Sequence, residues 1–230
     1  METKPNPKTS GAISAAYLKS LQEAESVTHA VQQAAYAPRL AKSGITSEIA
    51  QSLIERVETC RGDFTAAVEL RERKKSLTGV EQAEGRVLTR FVRQAQSAAR
   101  QKGADALGAQ DYRANYYLGE QISVNRSNLA AYSQGILQRL ATDELPGCDA
   151  EFIADFAASR QRWQEANAAQ SEAQAQASER YQAAKETLEE IQKERRRIQR
   201  AAEFQFPASD SKSATARAAF LLPAHRPFRG

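Results

Sequence analysis

The segment from Cys148 to Phe206 contains no glycine or proline, and this constrains the fold more than any other feature. Proline inside a helix costs about 3 kcal/mol and glycine about 1 kcal/mol, so their absence favours one uninterrupted helix. Asp149 is placed to cap the first turn of that helix. We therefore predict a long C-terminal helix over 149–206.

Two columns of this predicted helix repeat every seven residues. The first column consists of Phe156, Trp163, Gln170, Ala177, Ala184, Ile191 and Ile198. The second consists of Ile153, Arg160, Asn167, Gln174, Tyr181, Leu188, Arg195 and Ala202. Both are more apolar at the ends than in the Gln- and Ala-rich middle, which indicates coiled-coil-like packing with a weak central stretch.

The rest of the chain is also helical in pattern. Apolar residues recur at a spacing of three and four, and no segment alternates with the period of a strand. The chain has 43 Ala and 21 Gln, whereas Leu, Ile, Val and Phe together make up about 18%, so its apolar seams are narrow. Short turns between long helices favour antiparallel neighbours, and we predict an all-α, elongated antiparallel helical bundle.

The predicted boundaries divide the chain into three parts. A flexible N-terminus covers 1–9, the helical bundle covers 10–206, and an extended tail covers 207–230. Thr78 and Glu81 have the spacing of a capping box, and Asp111 is a candidate N-cap. The predicted helices of the bundle cover 10–37, 46–76, 79–101, 111–143 and 149–206.

The tail combines prolines, which exclude a continuous helix, with aromatic and aliphatic residues that a disordered tail would lack. We predict that it docks as a strap, either on its own bundle or on a neighbouring subunit. The candidate self-association residues are Phe204, Phe206, Phe220, Leu221, Leu222 and Phe228.

The end of the last helix carries a run of basic residues that could contact nucleic acid or an acidic protein. Glutamates precede and interrupt the run, so a solvated face with helical ion pairs is the competing interpretation. The candidate contact residues are Lys193, Arg195, Arg196, Arg197 and Arg200.

Candidate catalytic or metal-binding residues do not emerge from the sequence. Cys60 falls on an apolar stripe, where cysteine behaves as a small hydrophobe. The tyrosines at 112, 116, 117 and 132 and Trp163 fit packing or interface roles. Since no nucleotide, metalloprotease or di-iron motif is found, we expect no enzyme activity, no cofactor, no metal and no identified small-molecule substrate.

Three segments carry a resemblance. They are Asp111 to Arg126 (DYRANYYLGEQISVNR), Asp143 to Gly147 (DELPG) and Phe220 to Phe228 (FLLPAHRPF). Together they resemble a group of uncharacterised bacterial all-α proteins in which a long helix precedes an F-x-L-P-x-x-R-P-F-like tail. The resemblance covers the C-terminal half and implies a helical fold only.

The function expected from these patterns is that of a non-enzymatic structural or assembly protein. It would self-associate through helix seams and the strap, into oligomers or filaments. The alternative is a helical binding module for nucleic acid or an acidic partner. Because no apolar run long enough for a membrane span and no secretory signal is found, we expect a cytoplasmic location.

Overall fold

A computed structural model of the protein describes residues 13–104, 109–120 and 125–224, apart from the side chains of 104 and 109–111. Within these ranges the structure is helical and has no strand, so the predicted all-α fold is confirmed. A short 3-10 helix (Ser211–Ser213) precedes the last helix. The α-helices are α1 (Ala15–Gln32), α2 (Ala37–Ala41), α3 (Ser47–Ala104), α4 (Ala109–Asn115), α5 (Arg126–Leu140), α6 (Ala150–Gln205) and α7 (Ala214–Ala219).

The chain divides into two compact units, whereas the sequence predicted one bundle. The first unit comprises Met1–Glu72 and Ala175–Gly230, and the second comprises Arg73–Gln174. Helices α3 and α6 each contribute one part to each unit.

The core of the first unit is aliphatic and aromatic. It is built from α1, α2, the first part of α3, the last part of α6 and the segment that follows α6. The ring of Tyr17 stacks on Phe64 with centroids 5.3 Å apart. The largest buried side chains of this core include Leu21, Leu40, Ile45, Leu53, Phe64, Ile191 and Phe220.

The core of the second unit joins the remaining parts of α3 and α6 to α5 and the turn after α4. Its buried side chains include Leu88, Val92, Tyr116, Ile136, Phe156 and Trp163. The ring of Tyr117 lies so close to α5 that a Cβ atom at Gly135 would be 2.6 Å from the Tyr117 hydroxyl oxygen. A side chain at this helix position would therefore require the Tyr117 ring to shift.

The first predicted column of α6 is confirmed, because all seven of its residues are buried. The second column is confirmed at Leu188 and Ala202 of the first unit, which are buried, and Ile153 of the second unit is partly buried against its core. In the second unit the buried positions lie one residue earlier than predicted, at Ser159, Ala166 and Ala173. Small residues are favoured at these positions because they allow the neighbouring helices to pack closely. The polar residues Arg160, Asn167 and Gln174 lie beside the seam rather than in it.

The break predicted between 76 and 79 is wrong, since α3 is continuous. The Thr78 hydroxyl does not cap a new helix but donates to the Lys74 carbonyl of the preceding turn at 2.8 Å. Gly79 lies inside the helix, where its cost of about 1 kcal/mol is tolerated. Glu81, the second member of the expected capping box, is engaged elsewhere, as described below.

Two other predicted helices are divided. Helix α1 ends at Gln32, and Pro38 lies in the first turn of α2, where a missing N–H is harmless. The predicted helix over 111–143 splits into α4 and α5 because Tyr117 adopts a left-handed conformation with φ of 55°. Asp111 lies within α4 rather than at its start.

By contrast, Asp149 caps α6 as predicted, accepting from the Phe152 N–H at 2.9 Å.

The tail predicted to be extended contains helix instead. The Asp210 carboxylate accepts from the Lys212 N–H and the Ser213 hydroxyl, each at 3.0 Å. These hydrogen bonds lower the pKa of Asp210 and start the 3-10 helix. Alanine-rich α7 then follows, because alanine has the highest helix propensity.

Candidate interaction surfaces

The segment after α6 folds back onto the first unit of the same chain. Phe206 and Phe220 are both buried, with their rings stacked at a centroid distance of 6.0 Å. Tyr36 contacts each of them edge-on at 5.6 Å. The two ends of the segment are thus joined by one aromatic cluster.

Arg217 holds this segment in place through backbone carbonyls. Its side chain is only 2% exposed. The guanidinium donates to the Phe206 carbonyl at 2.7 Å and to the Pro223 carbonyl at 3.0 Å. Gln199 of α6 donates to the Phe220 carbonyl at 3.1 Å. The sequence pattern did not single out Arg217, because one arginine in an alanine-rich helix is typical of an exposed position.

The six candidate self-association residues therefore occupy different environments. Phe206 and Phe220 are core residues of their own chain, and Leu222 is partly buried against that core. Phe204 is 79% exposed and Leu221 is 46% exposed. Phe228 lies outside the described residues. Of the five that are described, Phe204 and Leu221 are the exposed ones.

Two of the five candidate anion-binding residues are engaged within the chain. Arg195 pairs with Glu23 of α1, and Arg197 pairs with Glu194 at 3.1 Å. Lys193, Arg196 and Arg200 are exposed and have no hydrogen bond or ion pair with any described residue. These three residues of the predicted basic run are therefore accessible to a binding partner.

These bases continue an exposed stripe of α6 that begins with acids. Apart from the adjacent pairs 189/190 and 196/197, successive residues are three or four positions apart, so the set shares one helix face. We call this stripe the charged face of α6. In chain order it consists of Glu186, Glu189, Glu190, Lys193, Arg196, Arg197, Arg200 and Phe204, all of them exposed.

In the second unit, Glu81 is a buried carboxylate with three hydrogen bonds. The Arg126 guanidinium donates to its two oxygens at 3.1 and 3.0 Å. The indole N–H of Trp163 donates to Oε1 at 3.2 Å. The predicted packing role of Trp163 fits this position. Its hydrogen-bond acceptor is Glu81, a residue that the sequence pattern assigns to a helix cap. Only the contact among α3, α5 and α6 reveals this role of Glu81.

Beside this cluster lies a pocket of about 860 Å³ lined by four arginines. Sequence reasoning missed it because arginines on an amphipathic helix resemble an ordinary solvated face. A second, smaller pocket of about 400 Å³ lies beside Tyr112 and Gly103.

The tyrosines of the second unit pack as the sequence indicated. Tyr112 stacks on Tyr116 at 6.2 Å, and Tyr117 lies 4.4 Å from Tyr132 between ring centroids. The Tyr116 hydroxyl donates to Asp143 at 3.0 Å. Burial, with the Asp143 carboxylate as a second cause, raises the pKa of Tyr116. The Gln96 amide donates to the carbonyls of Tyr116 and Tyr117 and secures the turn after α4.

The Cys60 thiol is buried in the core of the first unit and donates to the Ala184 carbonyl at 3.2 Å. Burial, with a smaller effect of Asp63, raises the pKa of Cys60 to about 11. A thiol of this kind is unreactive at neutral pH. In the described part of the chain, no three His, Cys, Asp or Glu side chains are grouped so that they could hold a metal ion.

Comparisons with known proteins add no further assignment. The sequence matches no protein-family model, and no curated protein or solved structure shows significant similarity to it. Over the described ranges, no helix is both long enough and apolar enough to cross a membrane.

Proposed function

We propose that the protein is a non-catalytic helical protein that binds a second copy of itself through the charged face of α6. The observation that carries this proposal is the order of charges along that face. Acids at 186, 189 and 190 precede bases at 193, 196, 197 and 200. A surface with this order is complementary to itself when the second copy runs in the opposite direction.

Antiparallel pairing centred between positions 191 and 192 brings opposite charges together. Glu190 then faces Lys193 of the second copy, and Glu186 faces Arg197, which is also paired with Glu194 of its own chain. The same register places Glu189 opposite Glu194, which is one like-charge pair against these two opposite-charge pairs. A two-fold axis makes each of these pairs occur twice. Such a contact closes on a dimer, and the filaments considered from the sequence would need a second surface.

The expected strength of this contact is low. Exposed ion pairs contribute about 0.2–1 kcal/mol each. Phe204 falls opposite Glu179 of the second copy, so partial covering of its ring adds less than the full-burial value of about 1.5–3 kcal/mol. Because association costs at least about 4 kcal/mol in lost translational and rotational freedom, the sum corresponds to a weak dimer. Its affinity should fall as salt screens the charges.

The test is light scattering behind a sizing column, with the full chain at increasing concentration. At low salt we expect the mass to rise from 25.3 kDa towards twice that value, and at high salt to return to 25.3 kDa. Lys193→Gln with Arg197→Gln should abolish the rise. A matched control, Arg73→Gln with Arg100→Gln, removes the same charge from exposed positions of α3 and should associate like the unsubstituted protein.

Either of two results would contradict the proposal. One is a mass of 25.3 kDa at every concentration and salt level. The other is equal association of the Lys193/Arg197 variant and the unsubstituted protein. Truncation after Phe206 is a poor test of self-association, because it removes Phe220 and Arg217 from the core of the first unit.

A second candidate function is binding of nucleic acid through the same bases. The exposed, unpartnered state of Lys193, Arg196 and Arg200 within the described residues favours it. Glu186→Gln with Glu190→Gln separates the two functions. It should weaken self-association, whereas binding of a fluorescent DNA duplex should become stronger because negative charge beside the bases is removed.

A further inference from the structure

The larger pocket belongs entirely to the second unit. One face of α3 lines it with Gly85, Thr89 and Arg93, and Leu129 of α5 and Trp163 of α6 complete the lining. Its volume of about 860 Å³ falls in the range of about 300–1,000 Å³ that is typical of pockets for organic ligands. The space is far larger than one inorganic ion requires.

The charges around this pocket are unbalanced. Four guanidinium groups line it, from Arg86, Arg90, Arg93 and Arg126, against one carboxylate, from Glu81. Arg126 forms a bidentate ion pair with Glu81, so these two charges compensate each other. The nearby Glu84 is paired with Arg162 at 3.4 Å. Three positive charges therefore remain at the pocket.

These three arginines lie at positions i, i+4 and i+7 of α3 and so share one face. Arg86 donates to the Gln82 carbonyl of its own helix at 3.3 Å. Arg90 and Arg93 make no hydrogen bond or ion pair with any residue that the structure describes. Like charges this close repel one another, and an anion between them would relieve that repulsion. Guanidinium groups bind phosphate and carboxylate oxygens in a bidentate manner.

The apolar part of the lining consists of Trp163 and Leu129, which contact α3 at Gly85. A Cβ atom there would lie 3.4 Å from Nε1 and 3.5 Å from Cδ1 of Trp163. Because glycine has no side chain, the indole edge of Trp163, which is only 2% exposed, reaches the lining of the pocket. Together with Leu129, which is 5% exposed, it forms a small apolar contact for a planar or apolar group.

We infer that the pocket of the second unit binds a small organic anion with at least two negative charges and a planar or apolar group. The anionic part, phosphate or carboxylate, lies between Arg86, Arg90 and Arg93. The planar part packs against Trp163 and Leu129. Arg126 stays paired with Glu81, and Glu81 fixes the position of the indole ring by accepting its N–H.

Trp163 provides a direct signal, because it is the only tryptophan of the chain. Its fluorescence and calorimetry are recorded while the full chain is titrated with four probes. ADP and benzene-1,3,5-tricarboxylate combine charge with a planar ring, as phosphate and carboxylate respectively. Pyrophosphate has charge alone, and adenosine has a ring alone. We expect at least one of the two combined probes to bind about tenfold more tightly than pyrophosphate or adenosine.

Two variants separate charge from shape. Arg90→Gln with Arg93→Gln should weaken the tighter combined probe by at least about tenfold, since two charge-assisted contacts are lost. Gly85→Ala should weaken that probe but leave pyrophosphate unchanged, while helix content is kept. Arg73→Gln, which changes an exposed arginine of α3 away from the pocket, is the control and should bind like the unsubstituted protein.

Three results would overturn the inference. In the first, none of the three anions binds by calorimetry. In the second, the Arg90/Arg93 variant binds them as tightly as the unsubstituted protein. In the third, Arg73→Gln causes an equal loss, which would mean that anions are attracted by the overall charge rather than by this pocket.

Discussion

The two units use the same two long helices in different ways. The first unit buries few polar side chains, which are Thr28, Ser213 and Arg217 among the described residues. All three donate their hydrogen bonds inside the unit. The second unit buries Glu81, Gln96, Ser133, Ser159 and Gln170 and contains both pockets. The C-terminal segment packs on the core of the first unit, whereas the second unit leaves space beside a polar cluster.

This difference indicates how an alanine-rich chain can combine stability with a binding surface. Aromatic rings from the segment after α6 fill the first unit and compensate for its narrow seams. In the second unit a glycine and a row of arginines line a pocket. We therefore expect substitutions in the first unit to affect stability most, and those in the second to affect ligand binding as well.

The largest effect on stability is expected from Phe220→Ala. This ring is fully buried between Phe206 and Tyr36, and truncation of a buried phenylalanine costs about 3–5 kcal/mol. Urea unfolding followed by circular dichroism measures the loss. Phe204→Ala is the matched control, because it removes an exposed ring and should change the free energy of unfolding by less than about 0.5 kcal/mol. Equal losses in the two variants would show that the C-terminal segment does not pack on the first unit.

An intermediate effect is expected from Glu81→Ala in the second unit. The substitution leaves the buried indole N–H of Trp163 without its acceptor and removes the partner of Arg126. An unpaired buried donor costs about 1–3 kcal/mol, which unfolding followed by Trp163 fluorescence would detect. Glu84→Ala breaks the more exposed pair with Arg162 and should cost at most about 1 kcal/mol. If Glu84→Ala proved the more damaging substitution, Glu81 would not organise this unit.

The smallest effect compares two left-handed residues, one in each unit. Leu221 follows α7 and Tyr117 follows α4, with φ of 54° and 55°. Leu221→Gly should raise the free energy of unfolding by up to about 1 kcal/mol, because glycine adopts this conformation without strain. The melting temperature should rise slightly as a result. Tyr117→Gly should lower it, because the Tyr117 ring packs on Tyr132. Shifts of the same sign in both variants would contradict this distinction.

The sequence predicted the seam of α6 well, because a seven-residue repeat of buried positions requires no knowledge of the partner helix. In the second unit it placed the second column one residue too late. The buried residues there are Ser159, Ala166 and Ala173, and such small residues carry little hydrophobic signal. The left-handed turn at Tyr117 was also missed, because tyrosine does not mark such a conformation as glycine would. The pocket was beyond prediction, since Arg90 and Trp163 are separated by 73 positions and meet only through helix packing.

Self-association through the charged face of α6 is tested most directly by mixing two charge-reversed variants. Glu186→Lys with Glu190→Lys makes the face wholly basic at the paired positions, and Lys193→Glu with Arg197→Glu makes it wholly acidic. Sedimentation velocity at low salt should find each variant monomeric by itself. An equimolar mixture should sediment as a dimer, because each basic face meets an acidic one. A mixture that remains monomeric, while the unsubstituted protein dimerises, would contradict the antiparallel contact.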